Sequence, residues 1–158
     1  MRILTPLAAA LLFAVGAAGP AAAANPDFTG TWELSPGLST NLGMMSAMKI
    51  TLVIAQQPAE LTIRESAVFQ DQPTERTVRY DLTGKPVNND GPMGGVNETV
   101  AHWADGRLVV TWTGEGSIAG TKVVRTETRS LGADGRTMSV ESVRGAAKPV
   151  IMVYERKK

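Results

Sequence analysis

From residue 25 onward, hydrophobic and polar positions alternate with a period of two, and the helical period of 3.6 nearly disappears. The runs are rich in Val, Thr, Ile and aromatic residues and are broken by Gly, Pro and Asp, which predicts strands bounded by turns. Nine segments fit this pattern: 28–34, 48–55, 60–69, 75–83, 96–104, 107–115, 121–131, 137–144 and 149–156. Nearly all the connections between them are short. The expected architecture is therefore all-β, an antiparallel up-and-down barrel of 8–10 strands over residues 25–158.

One hairpin fixes its own register. Asp105-Gly106 separates "VAHWA" from "RLVVTW" and suits a two-residue turn, because glycine accepts the positive φ required there. Closure by two residues pairs Ala104 with Arg107, Trp103 with Leu108, Ala101 with Val110 and Thr99 with Trp112. These pairs put an apolar set on one face, which must be the interior. Two connections are longer: residues 35–47 are expected to form a turn and a short helix closing one barrel end, and residues 84–95, rich in Gly and Pro, a surface loop.

Residues 1–24 have the plan of a secretory leader. Arg2 precedes the apolar run "LAAALLFAVGAA", a Gly19-Pro20 break follows, and small residues at Ala22 and Ala24 suit cleavage after Ala24. The run is shorter than the roughly 20 residues a membrane span needs, so no stable membrane anchor is expected, and the product would be periplasmic or extracellular. Of the 16 basic residues in the chain, Arg2 falls in the leader, which leaves 15 against 15 acidic. A balanced chain gives no electrostatic case for nucleic acid. With no cysteine and one histidine, no metal site, no cofactor and no triad-type catalytic site is expected. His102 falls on the outward side of its strand.

In an extended start, Phe28, Gly30, Trp32 and Leu34 point the same way. If that way is inward, Gly30 leaves room beside the indole of Trp32. The closing strand, ending in Tyr154 and Arg156, supplies an arginine able to lie on the indole face. With this pattern the sequence resembles the calycin superfamily, which includes lipocalins and intracellular fatty-acid-binding proteins. "FTGTW" opening the first strand and "VYERKK" ending the last carry the likeness, with "HWADGRLVV" and "LGADGRTMSV" as hairpin patterns. It is nearest to small exported bacterial lipocalin-like proteins.

The resemblance implies a barrel closed at one end by Gly30 and Trp32, with a small apolar or amphipathic ligand held inside. There are departures. The loop motifs and the helix after the barrel found in lipocalins are not evident. The helical pair of fatty-acid-binding proteins does not fit residues 35–47. Their ligand-binding arginine two residues before the tyrosine is Met152 here, so Tyr154 alone matches that site.

The segment "RTETR" carries the ambiguity that matters most. Arg125, Glu127 and Arg129 share one face of a strand, and Val124, Thr126 and Thr128 share the other. A three-residue loop of Ala133-Asp134-Gly135 turns the arginines outward. A four-residue loop turns them inward, opposing Arg129 to Met138 and Glu127 to Val140. Leu131 shares their parity and favours inward. Inward arginines need partners, because an unpaired buried charge costs several kcal/mol or more, and an anionic ligand would suit them. Glu65, also on an inward parity, is expected at the barrel mouth.

The ligand-contacting set is then Tyr80, Trp103, Trp112, Arg125, Arg129 and Tyr154, with no catalytic residue, and Met44, Met45 and Met48 fill the barrel end. A second possibility is a protein-binding module, an inhibitor or envelope-complex accessory, acting through loop 84–95.

Overall fold

The computed structural model describes residues 24–91 and 94–158. The expected leader, apart from its final residue, lies outside the described residues.

Ten antiparallel strands form one nearly closed barrel: β1 (Gly30–Leu34), β2 (Lys49–Gln56), β3 (Glu60–Phe69), β4 (Gln72–Asp81), β5 (Val87–Asp90), β6 (Val96–Ala104), β7 (Arg107–Glu115), β8 (Lys122–Leu131), β9 (Thr137–Arg144) and β10 (Val150–Arg156). Their lateral order is β4-β3-β2-β1-β10-β9-β8-β7-β6-β5, an up-and-down meander closed between β1 and β10. The hairpin at Asp105-Gly106 has the expected register, from Ala104 opposite Arg107 to Thr99 opposite Trp112. Residues 35–48 hold two short 3-10 turns, Pro36–Leu38 and Gly43–Ala47.

The stretch read as a loop, 84–95, contains β5. Its four residues, Val87-Asn88-Asn89-Asp90, include two asparagines, which disfavour strands, and are bounded by Gly and Pro. Local propensity hides the strand; pairing with β6 creates it. No ladder joins β5 to β4. Instead the buried Asn89 side chain acts as a substitute strand. Its Oδ1 accepts from the Arg79 N–H at 2.8 Å, and its Nδ2 donates to the Arg79 carbonyl and to Thr99 Oγ1, both at 2.7 Å.

Replacing Asn89 with alanine will remove all three bonds at once, and the expected loss is about 2 kcal/mol of stability. Amide exchange at Arg79 should accelerate well beyond that of neighbouring β4 amides paired with β3. Unchanged protection at Arg79 would mean the seam is held by something else.

The closed end is apolar. Phe28, Trp32, Leu61, Leu108 and Met138 are fully buried there, and the Phe28 ring stacks on Trp103 with centroids 6.0 Å apart. Trp32 Nε1 donates to the Phe28 carbonyl at 2.8 Å, and the Arg156 guanidinium lies 4.3 Å from the indole centroid. Gly30 has φ +140°, and a Cβ there would sit 2.7 Å from Arg156 Nη1 but 3.8 Å from the indole nitrogen. The glycine thus makes room chiefly for the guanidinium, and the indole is the surface that guanidinium covers.

Candidate functional site

Above this floor the interior changes character. β8 turns Arg125, Glu127 and Arg129 inward, as the parity of Leu131 suggested, with only 7% of Glu127 and 6% of Arg129 exposed. The register differs by two residues from the inward expectation: Arg129 opposes Val140 and Glu127 opposes Ser142, while Leu131 takes the place opposite Met138. The turn is one of four residues, Ala133 to Arg136, closed by Gly132 N–H on the Thr137 carbonyl at 2.8 Å. It begins one position later than expected because Asp134 Oδ1 accepts from the N–H groups of Arg136 and Thr137 and so caps the turn itself.

Glu127 lies between the two arginines, 3.2 Å from Arg125 and 3.3 Å from Arg129. A second pair comes from β3 and β4, where Arg76 grips Glu65 through two parallel bonds of 3.0 and 2.9 Å. Aromatic rings complete the layer. Arg125 covers Trp112 at 4.7 Å, Tyr80 meets Trp112 edge-on with centroids 6.0 Å apart, and Arg129 lies 6.0 Å from the Tyr80 ring.

Three guanidinium groups against two carboxylates leave this waist with one uncompensated positive charge. Burial works against the charged form of Arg76, but its bonds with Glu65 outweigh that and hold its pKa above the usual arginine value. Donors also outnumber acceptors. Arg76 Nη1, Arg125 Nε, Arg129 Nε, Arg129 Nη1 and Trp112 Nε1 are buried with no hydrogen-bond partner. Each such group carries a desolvation cost of about 1–3 kcal/mol, more when charged. The layer is therefore electrostatically unfinished, and an oxyanion is the chemical group that completes it.

Burial drives both interior phenols upward, Tyr80 next to Glu127 and Tyr154 beside Met152, so that each ionises well above a free tyrosine. Their folded pKa values exceed the unfolded value of about 10, so the stability they contribute is intact below that pH and declines above it. The protein should accordingly lose stability as pH rises beyond about 10, with tyrosinate absorbance appearing together with unfolding. Phenolate signal developing at ordinary pH in a still-folded barrel would show the rings to be solvated.

The structure gathers Tyr80, Trp112, Arg125, Arg129 and Tyr154 at or beside the waist. It does not bring Trp103 there. That ring stacks on Phe28 at the closed end and lines a hollow of about 270 Å³ outside the floor, with Asn25, Asp27, Gln57 and Leu82. A second hollow, about 390 Å³, lies on the outer wall between Asn88, Glu98, Thr113 and Lys122. Neither opens on the charged layer. Gly30, Trp32 and Arg156 belong to the floor, and His102 points outward and is exposed.

Glu65 faces inward, its side chain one-quarter exposed, and it has a partner. That partner, Arg76, did not figure in the expected set. Its signal was legible: Arg76 shares parity with Val78 and Tyr80, and a two-residue turn at Gln70-Asp71 pairs it with Glu65. Both turn residues have positive φ, 47° and 60°, without the glycine that usually marks such turns.

No protein-family model matches the sequence, and none of the curated proteins matches it. Solved structures do. Human cRBP IV superposes with a TM-score of 0.64 at 20% identity, covering 84% of this chain and 99% of its own. Wild-type fluorescent protein UnaG gives 0.65 at 18%, covering 82% and 97%. Apo lipid binding protein 8 of Caenorhabditis elegans gives 0.64 at 12%, covering 82% and 95%. At these identities the likeness is one of fold, and the fold they share with this chain is the antiparallel up-and-down β-barrel.

Proposed function

We propose that this chain is an exported, non-enzymatic carrier or sensor that holds a singly anionic amphipathic molecule inside the barrel, its head group on the charged waist. The observation that carries the reading is the surplus of one positive charge together with the unpartnered donors of Arg76, Trp112, Arg125 and Arg129. Solved structures of the same fold include a lipid binding protein and a fatty-acid-binding protein, which supports a small-molecule role over catalysis. The leader-like residues 1–24 support export to the periplasm or medium.

Space for a chain above the waist comes from side chains that yield. Met45, Met48 and Met152 pack against the core at the open end, and unbranched thioethers repack at small cost. A competition assay tests the proposal, with 1-anilinonaphthalene-8-sulfonate as the bound reporter and oleate or oleyl alcohol as displacers. Oleate should displace the reporter at least about tenfold more strongly than the alcohol, and Arg129→Met should abolish that preference. Equal displacement by both, or no reporter binding, defeats the reading. Export is checked separately by the mass of the secreted product, which should begin at Asn25.

A further inference from the structure

The two ends of the barrel differ in what they show to solvent. At the closed end the described residues expose one large hydrophobic side chain, Val53, 48% exposed on the outer wall level with Thr31. At the open end Leu38, Met44, Val96 and Ile118 are 56, 82, 63 and 71% exposed. They belong to three separate parts of the rim: residues 35–48 between β1 and β2, the start of β6, and residues 116–121 between β7 and β8. In the lateral strand order, β1 and β2 are far from β6–β8, so these tips stand on different sides of the mouth.

The loops of the same end carry little charge, and the strand ends beside them add Lys49, Asp90, Glu115, Lys122 and Arg144, with Lys49 paired to Glu33 and Lys122 to Glu115. The five connections, 35–48, 70–71, 91–95, 116–121 and 145–149, contain only Asp71 and Lys148, which balance. The four connections of the closed end are shorter, yet contain Lys85, Asp105, Asp134 and Arg136.

From this asymmetry we infer that the open end docks, reversibly and mouth down, on the surface of an uncharged, zwitterionic lipid bilayer, with Leu38, Met44 and Ile118 inserted among the head groups. Separated apolar prongs around an opening match a flat, fluid surface that accepts each wherever it falls. The balanced charge of the rim excludes attraction to an anionic surface as the driving force. Exposed apolar side chains on a neutral frame bind at the boundary between head groups and acyl chains, and a few of them give reversible attachment only. Docking itself follows from the rim; its use, passing an amphipath between bilayer and waist without crossing water, rests on the carrier reading above.

Vesicles of pure phosphatidylcholine and the purified protein test this. The wild type should float with the vesicles, and added salt should leave the bound fraction unchanged. The triple variant Leu38→Ser, Met44→Ser, Ile118→Ser alters only exposed side chains and should lose about tenfold or more in partitioning. Met44→Trp should show a blue-shifted emission component on adding vesicles and be quenched by brominated lipid.

Binding of the anilinonaphthalene reporter without vesicles should survive in the triple variant, so failure of docking and failure of the carrier reading are told apart. The inference is overturned if the wild type stays in the aqueous phase, if salt releases it, or if Met44→Trp emission is unmoved. A concentration-dependent dimer abolished by the triple variant, without vesicle binding, would overturn it in favour of a second copy covering the mouth.

Discussion

Glu127→Gln will cost the protein about 3–5 kcal/mol at neutral pH, the expected penalty for removing one member of a buried ion pair and leaving the other charged. Two guanidinium groups lose their shared counter-charge, one of them on Arg129, which is almost fully enclosed. The amide keeps the shape of the carboxylate, so the loss reports charge and not packing. Domains of this size have only about 5–15 kcal/mol in total, so the variant should be near its limit of stability. An anion able to enter should restore part of the deficit, because the waist then carries two surplus positive charges. Urea unfolding with and without oleate measures both effects. A variant within about 1 kcal/mol of wild type would show the waist to be wet, since solvated pairs contribute only that much.

The second large effect belongs to the floor. Trp32→Ala should cost about 3–5 kcal/mol through lost burial and the cavity left behind. A further fraction comes from the cation–π contact with Arg156, about 0.5–2 kcal/mol. Trp32→Phe keeps a ring under the guanidinium but forfeits the bond from Nε1 to the Phe28 carbonyl, and should fall between the two. Chemical denaturation of the three proteins gives the ranking. If alanine and phenylalanine are equally tolerated, the indole is not what seals the barrel end.

Residues whose role is set by their immediate neighbours were legible in the sequence. The Asp105-Gly106 turn fixes β6 on β7 because glycine there permits a single short closure. Trp32 and Arg156 could be matched across the chain because a glycine in an otherwise regular strand marks a close approach.

What depends on distant partners was harder to read. β5 is a strand because β6 offers it a ladder and Asn89 finds the β4 backbone, neither of which its own composition announces. Arg76 had a legible parity with Val78 and Tyr80, but its pairing with Glu65 depends on a turn that no glycine marks. The facing of β8 followed from Leu131, but its register required the cap that Asp134 makes on its own turn. That Trp103 belongs to the floor, while Trp112 belongs to the waist, depends on height along the barrel, which alternation does not encode.

The single-amide seam between β4 and β5 has a consequence for how the chain reaches this shape. Every ladder except one joins strands consecutive in sequence; the exception is β1 with β10, and the adjoining bond from Arg156 to the Thr29 carbonyl spans 127 residues. The two ends of the barrel segment, at Thr29 and Arg156, therefore lie side by side, while the weakest lateral junction falls midway along the sequence. Joining the ends by a short linker and opening the chain between Leu82 and Pro86 would make strand order and sequence order identical. Such a circular permutant should retain the barrel and fold faster than the natural arrangement, because the β1–β10 ladder becomes local and the one closure left between distant strands is the seam at Asn89.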